Sequence, residues 1–279
     1  MVAKWKTCLS KFDGFALVDD PNQERLTNIR FADDLLIFGK SLDEVVSMIE
    51  KLVHVLSEYG LEMNVKKTKL LSTTTTSNET VLIDTSVGFI ELVSAGSFHK
   101  YLGRSWPGNL CNRGEAAVSH RIGCAWAKFR NQEATLRNKS ISLALRLKLF
   151  NTTVTPALLY SLDTCPLTDR LLRKLDVIQR KMLRQIVGWV FGDPDDSWEE
   201  IGHRMKMRMK AGLQSYPIQD WSAMIFSRKQ ALQERTYSPN TSYLVRQAVN
   251  WEPGLCDSLN SQIAYRSVGR PPYRWNDGV

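Results

Sequence analysis

Two adjacent carboxylates, Asp33 and Asp34, interrupt an otherwise apolar stretch, Asn28-Ile29-Arg30-Phe31-Ala32-Asp33-Asp34-Leu35-Leu36-Ile37-Phe38-Gly39. A carboxylate without a partner is expensive to take out of water, so an acid pair amid apolar residues implies a turn and a positive charge nearby. The flanking Phe31-Ala32 and residues 35–38 predict a tight hairpin between two short buried strands. Paired carboxylates supply the hard oxygen donors that suit a divalent cation such as magnesium. A purely structural turn is the other reading of these residues. A second acid pair, Asp19-Asp20, precedes Pro21-Asn22 and reads as a surface turn with no chemical role.

Cationic and aromatic residues recur downstream. The segment Gly60-Leu61-Glu62-Met63-Asn64-Val65-Lys66-Lys67-Thr68-Lys69 reads on its own as a solvated loop bearing lysines. Phe98-His99-Lys100-Tyr101-Leu102-Gly103 reads as a strand ending in Tyr101, Leu102 and Gly103. Further on, Leu171, Leu175, Ile178, Met182 and Ile186 recur at helical spacing. Arg170, Arg173, Lys174, Arg180, Lys181 and Arg184 occupy the opposite side, so the pattern is an amphipathic helix with a basic face.

The elements that must position these groups follow from the punctuation of the chain. Residues 1–12 look like the end of a helix, broken by Asp13-Gly14, and Phe15-Ala16-Leu17-Val18 is a short strand. Leu26 to Phe31 returns into the acid hairpin. Ser41-Leu42-Asp43-Glu44 is a capping box opening a helix with Val45, Met48, Ile49, Leu52, Leu56 and Tyr59 on its apolar face, stopped by Gly60. Residues 87–93 form another candidate strand. One helix is expected over roughly 113–137. A second is expected from Ser140 to a kink or break at Pro156, and a third from Thr168 to about Val187. Asp193-Pro194-Asp195-Asp196-Ser197 looks like a linker, and the Ser72–Ser77 patch a loop.

The expected fold is therefore α+β, with a small antiparallel sheet and one covering helix, then a mostly helical half. Residues 1–104, 113–188 and 189–279 form the three expected regions, with a boundary near 104–112. The chain is basic, with net charge +8. Residues 1–100 hold 11 Lys/Arg against 14 Asp/Glu, whereas residues 101–279 hold 26 against 15. The positive excess lies downstream of the acids, where a polyanion would be bound. The five cysteines are widely spaced with no Cys-x-x-Cys, which argues against a zinc knuckle or a disulfide framework and for a reducing, intracellular compartment. No apolar run suggests a signal peptide or a membrane partner.

Phe31-Ala32-Asp33-Asp34 in a hydrophobic hairpin resembles the palm motif of reverse transcriptases, most closely the LINE-type (non-LTR) retrotransposon branch. The Gly-Leu-x-x-Asn-x-x-Lys-Thr segment ending at Lys67-Thr68 and the Tyr101-Leu102-Gly103 hairpin follow in the family's order. So do Lys148-Leu149-Phe150, Val154-Thr155-Pro156, Leu159-Tyr160 and Gln179-Arg180-Lys181-Met182-Leu183-Arg184, and a Gly269-Arg270-Pro271-Pro272-Tyr273-Arg274-Trp275-Asn276-Asp277 tail. The resemblance implies RNA-templated DNA synthesis from deoxynucleotide triphosphates on a DNA primer and an RNA template. It makes Asp33 and Asp34 ligands of two magnesium ions and puts Lys67 near the departing pyrophosphate. Tyr101, Leu102 and Gly103 would grip the primer end, and Arg173, Lys174, Arg180, Lys181 and Arg184 would track backbone phosphates in a thumb.

The family also needs a third carboxylate on a neighbouring strand and a fingers region, and residues 1–32 contain neither. The expectation is a C-terminal palm and thumb fragment that does not polymerise DNA alone, with an exposed sheet edge. A non-enzymatic nucleic-acid-binding remnant and a fragment without activity are the alternatives.

Overall fold

The computed structural model describes residues 1–18, 20, 22–72, 81–86, 88–94, 96–107, 113–190, 192 and 195–250. The tail at 269–277, the residues 73–77 of the serine–threonine patch, Val87, and Asp193 and Pro194 of the expected linker lie outside the described residues. The α+β arrangement is observed. The described residues cluster into two units, one comprising 1–101, 106–107 and 235–250, the other 102–105 and 113–234.

In the first unit, helix α1 (Val2–Thr7) lays Val2 and Trp5 against α2 (Leu42–Glu58), where Met48, Leu52 and Val55 are buried. The Trp5 indole donates to the Met48 carbonyl at 3.0 Å, so the one polar atom of this aromatic core is satisfied. Ser41 caps α2 by accepting from the Glu44 amide at 3.2 Å. The expected capping box is only half formed. The Glu44 carboxylate accepts from the Gly14 and Lys40 amides at 2.8 and 2.7 Å instead of the cap's own amide, tying the 13–14 turn to the helix start. Gly60, at φ +64°, follows the helix end as expected.

Strands β1 (Asn28–Phe31) and β2 (Asp34–Ile37) pair antiparallel with Phe31 opposite Asp34, leaving Ala32-Asp33 as a two-residue turn. Leu35 and Ile37 pack towards the α2 core. The other face of the hairpin carries Ile29, Phe31, Asp34 and Leu36, and is open: Ile29 is 47% and Phe31 63% exposed. The hairpin is thus present, but the expectation of two buried strands is corrected, because α2 covers one face only.

The expected strand over 15–18 reduces to a single bridge between Phe15 and Leu26. Ala16 and Leu17 are both buried, and two successive inward side chains break the alternation a strand requires. A mixed sheet follows in the order β3 (Lys69–Leu70), β5 (Ile90–Leu92), β4 (Val81–Ile83), with β3 parallel and β4 antiparallel to β5. Ile49, Leu70 and Ile90 form its buried contact with α2. Strands β6 (Phe98–Tyr101) and β7 (Arg104–Pro107) pair as a two-stranded sheet.

The second unit is helical: α3 (Arg113–Asn131), α4 (Glu133–Leu136), α5 (Leu143–Leu159), α6 (Asp169–Val187), α7 (Trp198–Gln214) and α8 (Trp221–Thr236), the last of which ends in the first unit. The single helix expected over 113–137 is two, divided at Gln132. Helix α5 passes through Pro156 and ends three residues later, and α6 begins at its Thr168 cap as expected. Phe129, Phe150 and Trp221 form the aromatic centre, with Phe150 stacked on Trp221 at 6.0 Å. Ser197, read above as linker, is the cap of α7, with a reciprocal Ser197–Glu200 box. A short α9 (Tyr243–Asn250) belongs to the first unit.

Candidate functional site

Asp33 sits in the β1–β2 turn and Asp34 opens β2, both exposed. The preceding Ala32 is at φ +53°, the left-handed region that two-residue hairpins require and that a residue with a Cβ adopts at a cost. Neither carboxylate forms an ion pair among the described residues. The desolvation argument for a neighbouring cation therefore falls away, because the acids keep their water.

A cluster lies on the same side. Lys69 on β3 forms an ion pair with Glu91 on β5. His99 on β6 has its pKa pushed below the ordinary 6.5 by burial and by Lys69, with Glu91 and Asp34 opposing. Two residues along the same strand, the Tyr101 hydroxyl is pushed up, first by burial and then by the charge of Asp34. Its oxygen is buried and has no hydrogen-bond partner among the described residues. Asp34, His99, Tyr101, Lys69 and Glu91 therefore share one electrostatic neighbourhood. Of these, His99, Lys69 and Glu91 escaped the reading of the sequence. The period of two in Phe98-His99-Lys100-Tyr101 could have found His99, since it places His99 and Tyr101 on one face.

Lys67 lies in the turn after α2, where its backbone amide donates to the Asn64 side chain at 3.2 Å. Its own side chain is exposed and forms no ion pair among the described residues. Lys69, two residues on, pairs with Glu91 and acts on His99 instead. Leu102 and Gly103 are the turn between β6 and β7, both at positive φ, +48° and +72°, as a type I′ hairpin requires. The basic side of α6 is exposed along its length. Arg170 is paired with Glu115 at 3.2 Å and Arg180 donates to the Asp176 carbonyl of its own helix. Arg173, Lys174, Lys181 and Arg184 form no ion pair among the described residues.

Among the described residues, no three His, Cys, Asp or Glu side chains converge as metal ligands. Two exposed carboxylates on one turn do not by themselves make the donor set of a resident magnesium ion. Nor is any described helix long and apolar enough to cross a membrane.

Residues 8–103, which hold the acid hairpin, its covering helix and strands β3 to β6, match the family described as reverse transcriptase (RNA-dependent DNA polymerase). A transposon-derived protein of Caenorhabditis elegans is 26% identical over 258 residues, covering 92% of this chain and 85% of that protein. The similarity to this relative therefore extends through the helical unit as well. No solved structure matches the chain.

Proposed function

We propose that the chain is the palm and thumb portion of a LINE-type retrotransposon reverse transcriptase, whose ancestral reaction is RNA-templated DNA synthesis. In these 279 residues the working part is the nucleic-acid-binding half. The observation that carries this reading is the exposed basic side of α6, where Arg173, Lys174, Lys181 and Arg184 have no carboxylate partner among the described residues. Unpaired cations on one rigid helix suit the evenly spaced phosphates of a duplex, and such contacts bind without reading sequence. The match over residues 8–103 supports the polymerase ancestry, and the transposon-derived relative supports the mobile-element origin.

In this reading Asp33 and Asp34 are what remains of a two-metal magnesium site. Lys67 faces the triphosphate, and Tyr101, Leu102 and Gly103 meet the primer end. Asp33 and Asp34 need a further carboxylate to fix catalytic ions, so these residues alone bind a DNA primer on an RNA template without extending it.

The test joins two measurements on the whole chain. Primer extension with magnesium and deoxynucleotide triphosphates compares the chain with an Asp33→Asn, Asp34→Asn variant. Binding of the same primer–template is then followed against salt. The expected result is no extension by either, and salt-dependent binding by both. Replacing Arg173, Lys174, Arg180, Lys181 and Arg184 by Gln lowers the log–log salt slope by up to about 4.5, at about 0.9 per phosphate contact. Extension that is lost in the Asp variant would overturn the claim of incompleteness. Salt-independent binding, or none, would overturn the binding role.

A further inference from the structure

The hairpin turn at Leu102-Gly103 and the end of α5 at Tyr160 are separate motifs in the sequence, 58 residues apart. In the structure they are one device. The Tyr160 hydroxyl donates to the Leu102 carbonyl at 2.7 Å. The Arg121 guanidinium, from α3, donates to the Gly103 carbonyl and lies over the Tyr160 ring, 4.5 Å from its centroid. Arg104, the next residue, donates to the Thr164 hydroxyl at 3.0 Å. The receiving loop has its own left-handed residue, Ser161 at φ +62°, and Thr164 donates back to the Ser161 carbonyl at 3.0 Å.

Three facts separate this from ordinary packing. Leu102 is a branched residue at φ +48°, a conformation that glycine takes readily and leucine resists. Both carbonyls of the turn are occupied by side chains from elsewhere in the fold, which supplies the support that the turn sequence lacks. Tyr160 is 49% exposed, so burial does not hold it there. Its place is set by the hydrogen bond and by the arginine stacked on it.

We propose that Tyr160 and Arg121 are positioning residues that latch the Leu102-Gly103 tip in its left-handed turn, so that the hairpin meets a nucleic-acid end in one fixed shape. The functional half of this inference rests on the primer-end role given to the hairpin above.

The test uses the full chain with Tyr160→Phe, Arg121→Gln and the double variant Tyr160→Phe, Leu102→Gly. Hydrogen exchange of the tip amides is read first. The single variants speed it by about two- to tenfold, the range expected from one net hydrogen bond. Leu102→Gly in the Tyr160→Phe background restores the slow turn, because glycine needs no latch. Unchanged tip exchange in the single variants overturns the proposal, and so does failure of the double variant to restore it. Affinity is then compared for a DNA primer recessed on an RNA template and for a continuous duplex of the same length. A latch acting on the primer end weakens recessed-end binding in the single variants and leaves the continuous duplex within about twofold, the lower bound of the same range. Equal loss on both overturns the positioning role. A wild-type chain that does not distinguish the two substrates, while its tip still responds to Tyr160→Phe, overturns the primer-end reading and leaves the latch standing.

Discussion

Arg146 stands in the apolar stripe of α5, between Leu143 and Leu147, and is 7% exposed. Its guanidinium has no carboxylate partner among the described residues. It donates instead to three backbone carbonyls: Ile141 at 3.0 Å, Leu136 at 3.3 Å and Ile186 at 2.5 Å. Leu136 is the last residue of α4 and Ile186 the penultimate residue of α6, so the cation sits where two helices leave carbonyls unpaired and their dipoles are negative. Burial lowers its pKa, which is the cost side of the arrangement.

Hydrogen bonds to a charged group are each worth about 1.5–3 kcal/mol, or about 4.5–9 for three. Against this stand several kcal/mol for desolvating the guanidinium, which Arg146→Leu would recover. The net expectation for Arg146→Leu is a loss of about 3 kcal/mol, in line with removing one side of a buried charged network. Arg146→Lys, whose ammonium lacks the fork to span three acceptors, loses about 2. Urea titration followed by far-ultraviolet circular dichroism, which the helical unit dominates, measures both. A loss below about 0.5 kcal/mol for Arg146→Leu, the range of an ordinary surface change, would refute the reasoning and mean that desolvation cancels the three bonds.

Two further outcomes follow from the same kind of accounting. Asp176 on α6 accepts from the Ser222 amide and hydroxyl at 2.9 and 2.7 Å and so caps α8 from a neighbouring helix. Asp176→Ala is expected to cost about 2 kcal/mol and Asp176→Asn about half as much, read as the shift in thermal midpoint. His99, its folded pKa depressed by burial and Lys69, contributes stability that is fully present above its ordinary 6.5 and lost as pH falls through the lowered value. Urea midpoints between pH 7.5 and 5 should therefore drop in the parent and drop less in His99→Gln, and parallel curves would contradict this.

Local signals were legible wherever chemistry and backbone agree within a few residues. The Thr168 cap, the Gly60 stop, the hairpin at the acid pair and the basic side of α6 could all be read because each depends on spacing alone. The Ser197–Glu200 box had the same kind of signal, hidden by the Asp-Pro run before it. What escaped depends on contacts far apart in sequence. Glu44 was assigned to its own cap, but Gly14 offers its carboxylate a second amide. The role of Arg146 could not be read, because nothing near it in sequence announces the carbonyls of α4 and α6. The burial of β1 was overestimated because Ile29 and Phe31 are apolar and α2 covers only the opposite face. Lys69, on β3, lies against Glu91 and acts on His99, contacts 22 and 30 residues away that no local motif announces.

The open face of the acid hairpin bears on how this chain tolerates change. Asp33 and Asp34 are exposed and form no ion pair among the described residues, while Ala32 bears the strain of the turn. Selection for folding alone is therefore blind to both acids and acts on their neighbour. In a saturation screen for abundance, positions 33 and 34 should accept almost any residue, and position 32 should favour glycine.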